Sequence, residues 1–170
     1  QIDGMGGATS STSKTVIIGP STQPDHDIDY LFGQVGIDQN FVDWSGNCGN
    51  LSAAVGPFAI EQGLIDPERI PQNGTAKIRI WQANIGKTIV AHVPITQGRV
   101  QETGGFELDG VTFPAAEVAL DFMQPVDTAR EALFPTGNLV DPLEVPDFDV
   151  VDATMINAGI PTIFINAEAI

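Results

Sequence analysis

The chain has 170 residues, enough for one domain with its own core, and its 42% apolar content excludes a disordered segment. Acidic residues outnumber basic ones 22 to 7, and the formal net charge of −15 excludes binding to nucleic acid or to an anionic membrane through bulk electrostatics. One cysteine excludes an intramolecular disulfide framework, and no apolar run approaches the ~18 residues of a membrane span, so a cytoplasmic protein is expected.

The chain starts QIDGMGG and stops on FINAEAI, an apolar run with no closing turn, so a piece of a longer protein is expected. Residues 4–13, GMGGATSSTS, read as a loop of small side chains. Lys14-Thr15-Val16-Ile17-Ile18 is β-branched enough to predict a buried strand. A loop follows over PSTQPDHD, then two short strands, YLFGQVGI and NFVDW. The turn SGNCGN leads into a helix expected over 51–64, apolar on nearly every face and therefore expected to be buried all round. Gly63 suits its C-terminal end, and Gly56-Pro57 inside it predicts a kink or a late start.

From Ala76 onward the pattern turns to strands. AKIRIWQAN and KTIVAHVPI flank the turn Asn84-Ile85-Gly86 and predict a hairpin. Asp109-Gly110 marks a further turn, and 129–133 reads as a short helix. The acidic tract 141–152 reads as a solvated connector, and ATMINAGIPTIFINA as two strands around an Asn-x-Gly-x-Pro turn. The sum is a β-rich α+β fold around one central helix. His26 reads as a solvated loop residue and His92 as a surface-facing or satisfied strand residue, with no spacing that suggests a metal site. Trp44 and Trp81 read as core anchors.

Three features carry chemistry. Cys48 stands where a helix starts, and there the unpaired N–H groups and the helix dipole favour a thiolate or a bound carboxylate. Asn47, Gly49 and Asn50 surround it and are the candidate carboxylate contacts, although a small core side chain would also explain the cysteine. Lys14 is the only Lys or Arg before Arg69, which makes it a candidate base or carboxylate clamp; a strand-start lysine reaching to water is the plainer alternative. The loop containing Gly6, Gly7, Ser11 and Ser13 offers backbone N–H groups and hydroxyls that can cradle an oxyanion. Ser11-x-x-Lys14 and Gly86-Lys87-Thr88 imitate longer catalytic and phosphate-binding motifs whose companion residues are absent.

QIDGMGGATSSTSK, DWSGNCGNLSAAVGPFAI, ELDGVTFPAAEV and MINAGIPTIFI together resemble the PrpF-type isomerases, which act on unsaturated acids such as 2-methylaconitate. The resemblance implies a diaminopimelate epimerase-like fold: two similar lobes, each a β-barrel-like sheet wrapped around a central helix, with the active site between them. It places most of the N-terminal lobe in 1–149 and the start of a second lobe in 150–170. It implies a cofactor-free, metal-free isomerase of di- or tricarboxylates in which Lys14 moves the substrate proton. Cys48-Gly49-Asn50 then matches the position of one catalytic thiol of the epimerases, and Asn157 and Gly159 approach the substrate from the second lobe. The second catalytic cysteine of the epimerases has no counterpart here, which favours a lysine-centred mechanism. Implied partners are a small anionic carboxylate and an aconitase-like dehydratase, and a homo-oligomer is compatible with the pattern. An oxo-acid tautomerase acting on 4-oxalomesaconate and a non-catalytic accessory to the dehydratase stand as the alternatives.

Overall fold

The computed structural model describes Thr9 and residues 11–123, 132–146, 149–158 and 161–169. The chain divides into two compact units, 1–123 and 124–170.

Among the described residues the first unit holds seven strands and one α-helix. β1 (Lys14–Pro20), β2 (Ile28–Val35), β4 (Asn73–Gln82), β5 (Lys87–Thr96) and β6 (Arg99–Val100) lie in the order β1-β2-β4-β5-β6. β3 (Val42–Asp43) pairs with β2, and β7 (Ala119–Phe122) pairs with β5. Every pairing is antiparallel except β2 with β4, where Ile28 stands opposite Ile80 in parallel register. Parallel neighbours need a crossover, and helix α1 (Gly49–Glu61) supplies it.

Period-two patterning decides which side chains meet that helix. Ile28, Tyr30 and Phe32 on β2, Ala76, Ile78 and Ile80 on β4, and Ile89, Ala91, Val93 and Ile95 on β5 are all buried. They form one core with Val55 and Ala59 of α1. Gly56 lets the helix approach closely, because a Cβ there would lie 2.9 Å from Val93 and 3.0 Å from Ala91. The helix stops as Gly63 predicts. At φ +69° its N–H donates to Ile60 O and the Leu64 N–H to Ala59 O, which is a Schellman end.

Several sequence expectations need correction. The helix begins at Gly49 and runs through Pro57, so there is no late start. It is not buried all round, since Phe58 is 50% exposed and borders an open apolar groove of about 380 Å³ with Val16, Ile17, Ile18, Leu51, Ala54 and Val55. β1 is an edge strand with Ile17 exposed rather than a buried one, because nothing among the described residues pairs with its outer side. For the same reason the sheet remains an open path among the described residues, and no barrel closes. Trp44 is exposed. His26 is anchored rather than solvated: its ring bonds Pro24 O and Thr88 Oγ1, both at 2.8 Å, and stands edge-on to Trp81. His92 is satisfied by Asp121 at 2.7 Å. No helix among the described residues is long and apolar enough to cross a membrane.

The described residues of the second unit form a three-stranded antiparallel sheet of β8 (Asp141–Glu144), β9 (Val150–Asn157) and β10 (Pro161–Ile165), in the order β10-β9-β8. β9 and β10 form the hairpin expected around the Asn-x-Gly-x-Pro turn, with Asn157 opposite Pro161. The acidic tract is not simply a connector, because Asp141–Glu144 pairs with Val150–Ala153 across it. The helix expected over 129–133 falls mainly outside the described residues.

Gly56→Val should lower stability by about 1–3 kcal/mol, since rigid Val93 and Ala91 side chains occupy the space it needs. Urea denaturation measures this, and an unchanged midpoint would show that helix and sheet can separate there without cost.

Candidate active site

Antiparallel pairing of β1 with β2 places Lys14, the first residue of β1, opposite Gln34 near the end of β2. The chain leaving β2 turns through β3 and reaches the α1 start at that same end. Lys14 Nζ accordingly donates to Cys48 Sγ at 3.4 Å, joining residues 34 positions apart in sequence. Both side chains are partly buried.

Cys48 is the N-cap residue of α1, with extended backbone at φ −125° and ψ 107°. Its side chain does not cap the helix, and no acidic residue lies in the first turn. The first N–H groups, on Gly49 and Asn50, therefore meet no side-chain cap, and the positive helix end is not neutralised locally. The Cys48 carbonyl is held twice by Ser52, from its backbone N–H at 3.1 Å and its hydroxyl at 2.7 Å. Asn47 Oδ1 beside the cysteine is buried with no hydrogen-bond partner among the described residues.

The loop before β1 ends in a hydroxyl-stitched turn. The Ser13 and Thr12 N–H groups both donate to Thr9 O, and the Thr9 hydroxyl contacts those of Ser11 and Thr12 at 3.1 and 2.8 Å. Ser13 is fixed through its carbonyl, which accepts from Gln34 Nε2 and Val35 N. Lys14 thus leaves a pinned backbone. Gly6 and Gly7 lie outside the described residues. Asn157 belongs to the second unit, where its N–H donates to Leu133 O at 2.8 Å, and Gly159 is outside the described residues.

Three supporting residues escape the sequence reading. Tyr30 is fully buried, and its hydroxyl has no hydrogen bond of ordinary geometry although Ser52 lies beside it. It is the only tyrosine in the chain and sits in a strand row otherwise filled by Ile28 and Phe32, which is the signal that could have found it. Ser52 is fully buried in α1. Asn84, in the β4–β5 turn, clamps Phe32 through both its amide nitrogen and oxygen at 2.8 Å, and also donates to Trp44 O at 2.6 Å. That bond ties the segment leading to Cys48 onto β2. Among the described residues no group of three or more His, Cys, Asp or Glu side chains gathers as a metal site.

A Lys-thiol contact over an uncapped helix start suits proton transfer next to a bound anion. The match to a family model described as PrpF protein spans residues 1–170. The chain belongs to the PrpF family. It is 74% identical over 173 residues to a 2-methyl-aconitate isomerase of Cupriavidus necator and 72% identical over 171 residues to one of Shewanella oneidensis. These matches cover 100% and 99% of this chain but only 44% and 43% of those relatives, so the chain spans less than half their length. A crystal structure of methylitaconate-delta-isomerase is similar with a TM-score of 0.84 and 39% identity, over 98% of this chain and 42% of that one.

Burial holds the Tyr30 phenol above its ordinary value of 10.0; the nearby Ser52 hydroxyl pulls the other way and a negative Cys48 adds to the rise. A raised folded value leaves stability intact below about pH 10 and erodes it as pH climbs, because the unfolded phenol ionises first. Alkaline unfolding should therefore be shallower in Tyr30→Phe than in wild type above about pH 10, read by circular dichroism. Identical alkaline limbs would assign the instability to other groups.

Proposed function

We propose that this chain forms the proton-transfer half of an isomerase of unsaturated di- or tricarboxylates, with 2-methylaconitate the favoured substrate and aconitate next. The observation that supports it is the 3.4 Å contact between Lys14 Nζ and Cys48 Sγ at the α1 start, in a chain 74% identical to a 2-methyl-aconitate isomerase. The fold reading that goes with it is a diaminopimelate epimerase-like lobe in 1–149, with 150–170 opening a second one.

The reaction needs a proton removed from a carbon conjugated to the double bond and returned after rotation. Lys14 is the proposed base. The electron pair left behind delocalises over the alkene and the adjacent carboxylate, and it needs preorganised donors rather than a cofactor. The uncapped N–H groups of Gly49 and Asn50 and the positive helix end are suited to a substrate carboxylate. Asn47 would supply an amide to the same group, and the small-residue loop with Gly6, Gly7, Ser11 and Ser13 would offer further donors. Cys48, whose sulfur accepts from Lys14, is either a second acid or base or a polar wall of the carboxylate pocket, and the wall is the preferred role. Asn157 and Gly159 are the proposed contributors from the second unit. The local positive charge offsets the repulsion between an acidic protein and a polyanionic substrate. A cytoplasmic location fits one free thiol in a working site. A dehydratase that forms the substrate is the proposed partner.

The test follows the full-length protein with 2-methylaconitate or trans-aconitate in D₂O by proton NMR. Lys14→Ala should lower both isomerisation and deuterium uptake on the order of 10²–10⁴-fold. No exchange in the wild-type protein with any such acid would sink the isomerase reading and favour an accessory role. Exchange that survives the substitution would keep the enzyme and remove Lys14 as its base.

A further inference from the structure

Lys14 Nζ stands 3.4 Å from Cys48 Sγ, and both side chains are partly buried. That separation lies within the ~3–3.5 Å at which two reacting atoms are already in position for attack. Both ends are held. Ser13, just before the lysine, is fixed through its carbonyl by Gln34 Nε2 and Val35 N, and the Cys48 carbonyl is fixed by Ser52. The thiol stands at a helix start that its side chain does not cap, beside an amine and partly open to solvent. Cysteines in such settings are the ones that oxidise selectively. An oxidised cysteine is commonly resolved by a second thiol, but Cys48 is the only cysteine in these 170 residues. The nucleophile in contact with its sulfur is instead the Lys14 amine.

We propose that Cys48 and Lys14 form a reversible modification site: hydrogen peroxide converts the thiol to a sulfenic acid, and the Lys14 amine closes on that sulfur to give a sulfenamide. In the first step the sulfur attacks one peroxide oxygen. The S–O bond forms, the O–O bond breaks, and the second oxygen leaves as water with the thiol proton. Sulfur is oxidised by two electrons and the peroxide is reduced. In the second step the amine lone pair attacks the sulfur. The S–N bond forms, the S–O bond breaks, and the hydroxide leaves as water with one amine proton. One peroxide is consumed, two waters are released, and the chain loses two hydrogens. The amine attacks as a free base, the same form in which Lys14 serves as the proposed base. A neutral oxidant also meets no repulsion from a chain of net charge −15. The linkage takes the base out of the site and so switches it off, and an external thiol restores both residues by attacking the sulfur. The switch rests on the reading of Lys14 as the base; the linkage rests only on the contact.

The experiment treats the full-length protein with hydrogen peroxide as wild type, Lys14→Met and Cys48→Ser. It reads intact mass, a peptide map without reductant after cleavage at the aspartates between the two residues, Asp25 to Asp43, and isomerisation of 2-methylaconitate before and after dithiothreitol. Wild type should lose two hydrogens with its Lys14 and Cys48 peptides joined, and should lose activity in proportion to the joined fraction. Dithiothreitol should separate the peptides and restore the activity. Lys14→Met should gain oxygen at Cys48 without the joined peptides, and Cys48→Ser should show neither change at that position. Oxygen on wild-type Cys48 with its peptide separate overturns the proposal, as does a thiol that peroxide leaves unchanged. Loss of two hydrogens within the Cys48 peptide alone marks closure on a backbone nitrogen and overturns it too. Joined peptides in a protein that isomerises no carboxylate keep the linkage and remove the proposed function instead. Joined peptides with activity intact keep the linkage and remove Lys14 as the base. Should Lys14→Met fail to fold, the wild-type map decides alone.

Discussion

The parallel pairing of β2 with β4 is the constraint on which the first unit depends. Two parallel neighbours cannot be joined by a tight turn, so the chain between them must cross the sheet, and α1 makes the crossing over one face. The helix then starts at the end where β2 finishes. Because β1 runs antiparallel to β2, its first residue lies at that end as well. Lys14 and Cys48 meet for this topological reason, with no local sequence signal linking them. Helix starts at the C-terminal ends of parallel strands are the usual place for anionic ligands in such sheets.

Close packing of α1 on β5 makes the arrangement stiff. Gly56 removes the side chain that would hold the helix off Val93 and Ala91, and Val55 and Ala59 seal the contact on either side. The opposite face of the helix is different. Leu51, Ala54 and Phe58 line an open apolar groove with Val16, Ile17 and Ile18. The helix composition thus calls for more cover than the described residues of this chain provide, and β1 is left as an open edge. One side of the site is anchored in a finished core, and the other borders unpartnered apolar surface.

Polar groups around Cys48 follow a different logic from the core. Asn84 satisfies both backbone groups of Phe32 and the Trp44 carbonyl, a fully paired clamp that fixes the approach to the cysteine. Tyr30 OH and Asn47 Oδ1 are buried with no hydrogen-bond partner among the described residues. Paired groups hold the frame, while these two atoms, a phenol hydroxyl and an amide acceptor, cost stability where they stand.

Much of the fold was legible in the residues. Alternation predicted the β4–β5 hairpin, small residues and Gly63 predicted the helix and its end, and Asn157 to Pro161 predicted the β9–β10 turn, because each is set by local backbone preference or by a two-residue period. Misreadings fell where neighbours decide. Ile17 and Phe58 are apolar enough for a core yet lie exposed, and Asp141–Glu144 is acidic and proline-bearing yet pairs as a strand. The motifs around Lys14 and Cys48 were visible; Ser52 and Asn84 carried no local mark, and Tyr30 was marked only as the one tyrosine in a strand row with Ile28 and Phe32. By itself the sequence determined the family, the strand periods and the helix, and it singled out Lys14 and Cys48 as candidates, all through side-chain type and short spacing. Only the tertiary structure decided that those two residues touch, because strand order and crossover bring together positions that no local rule connects.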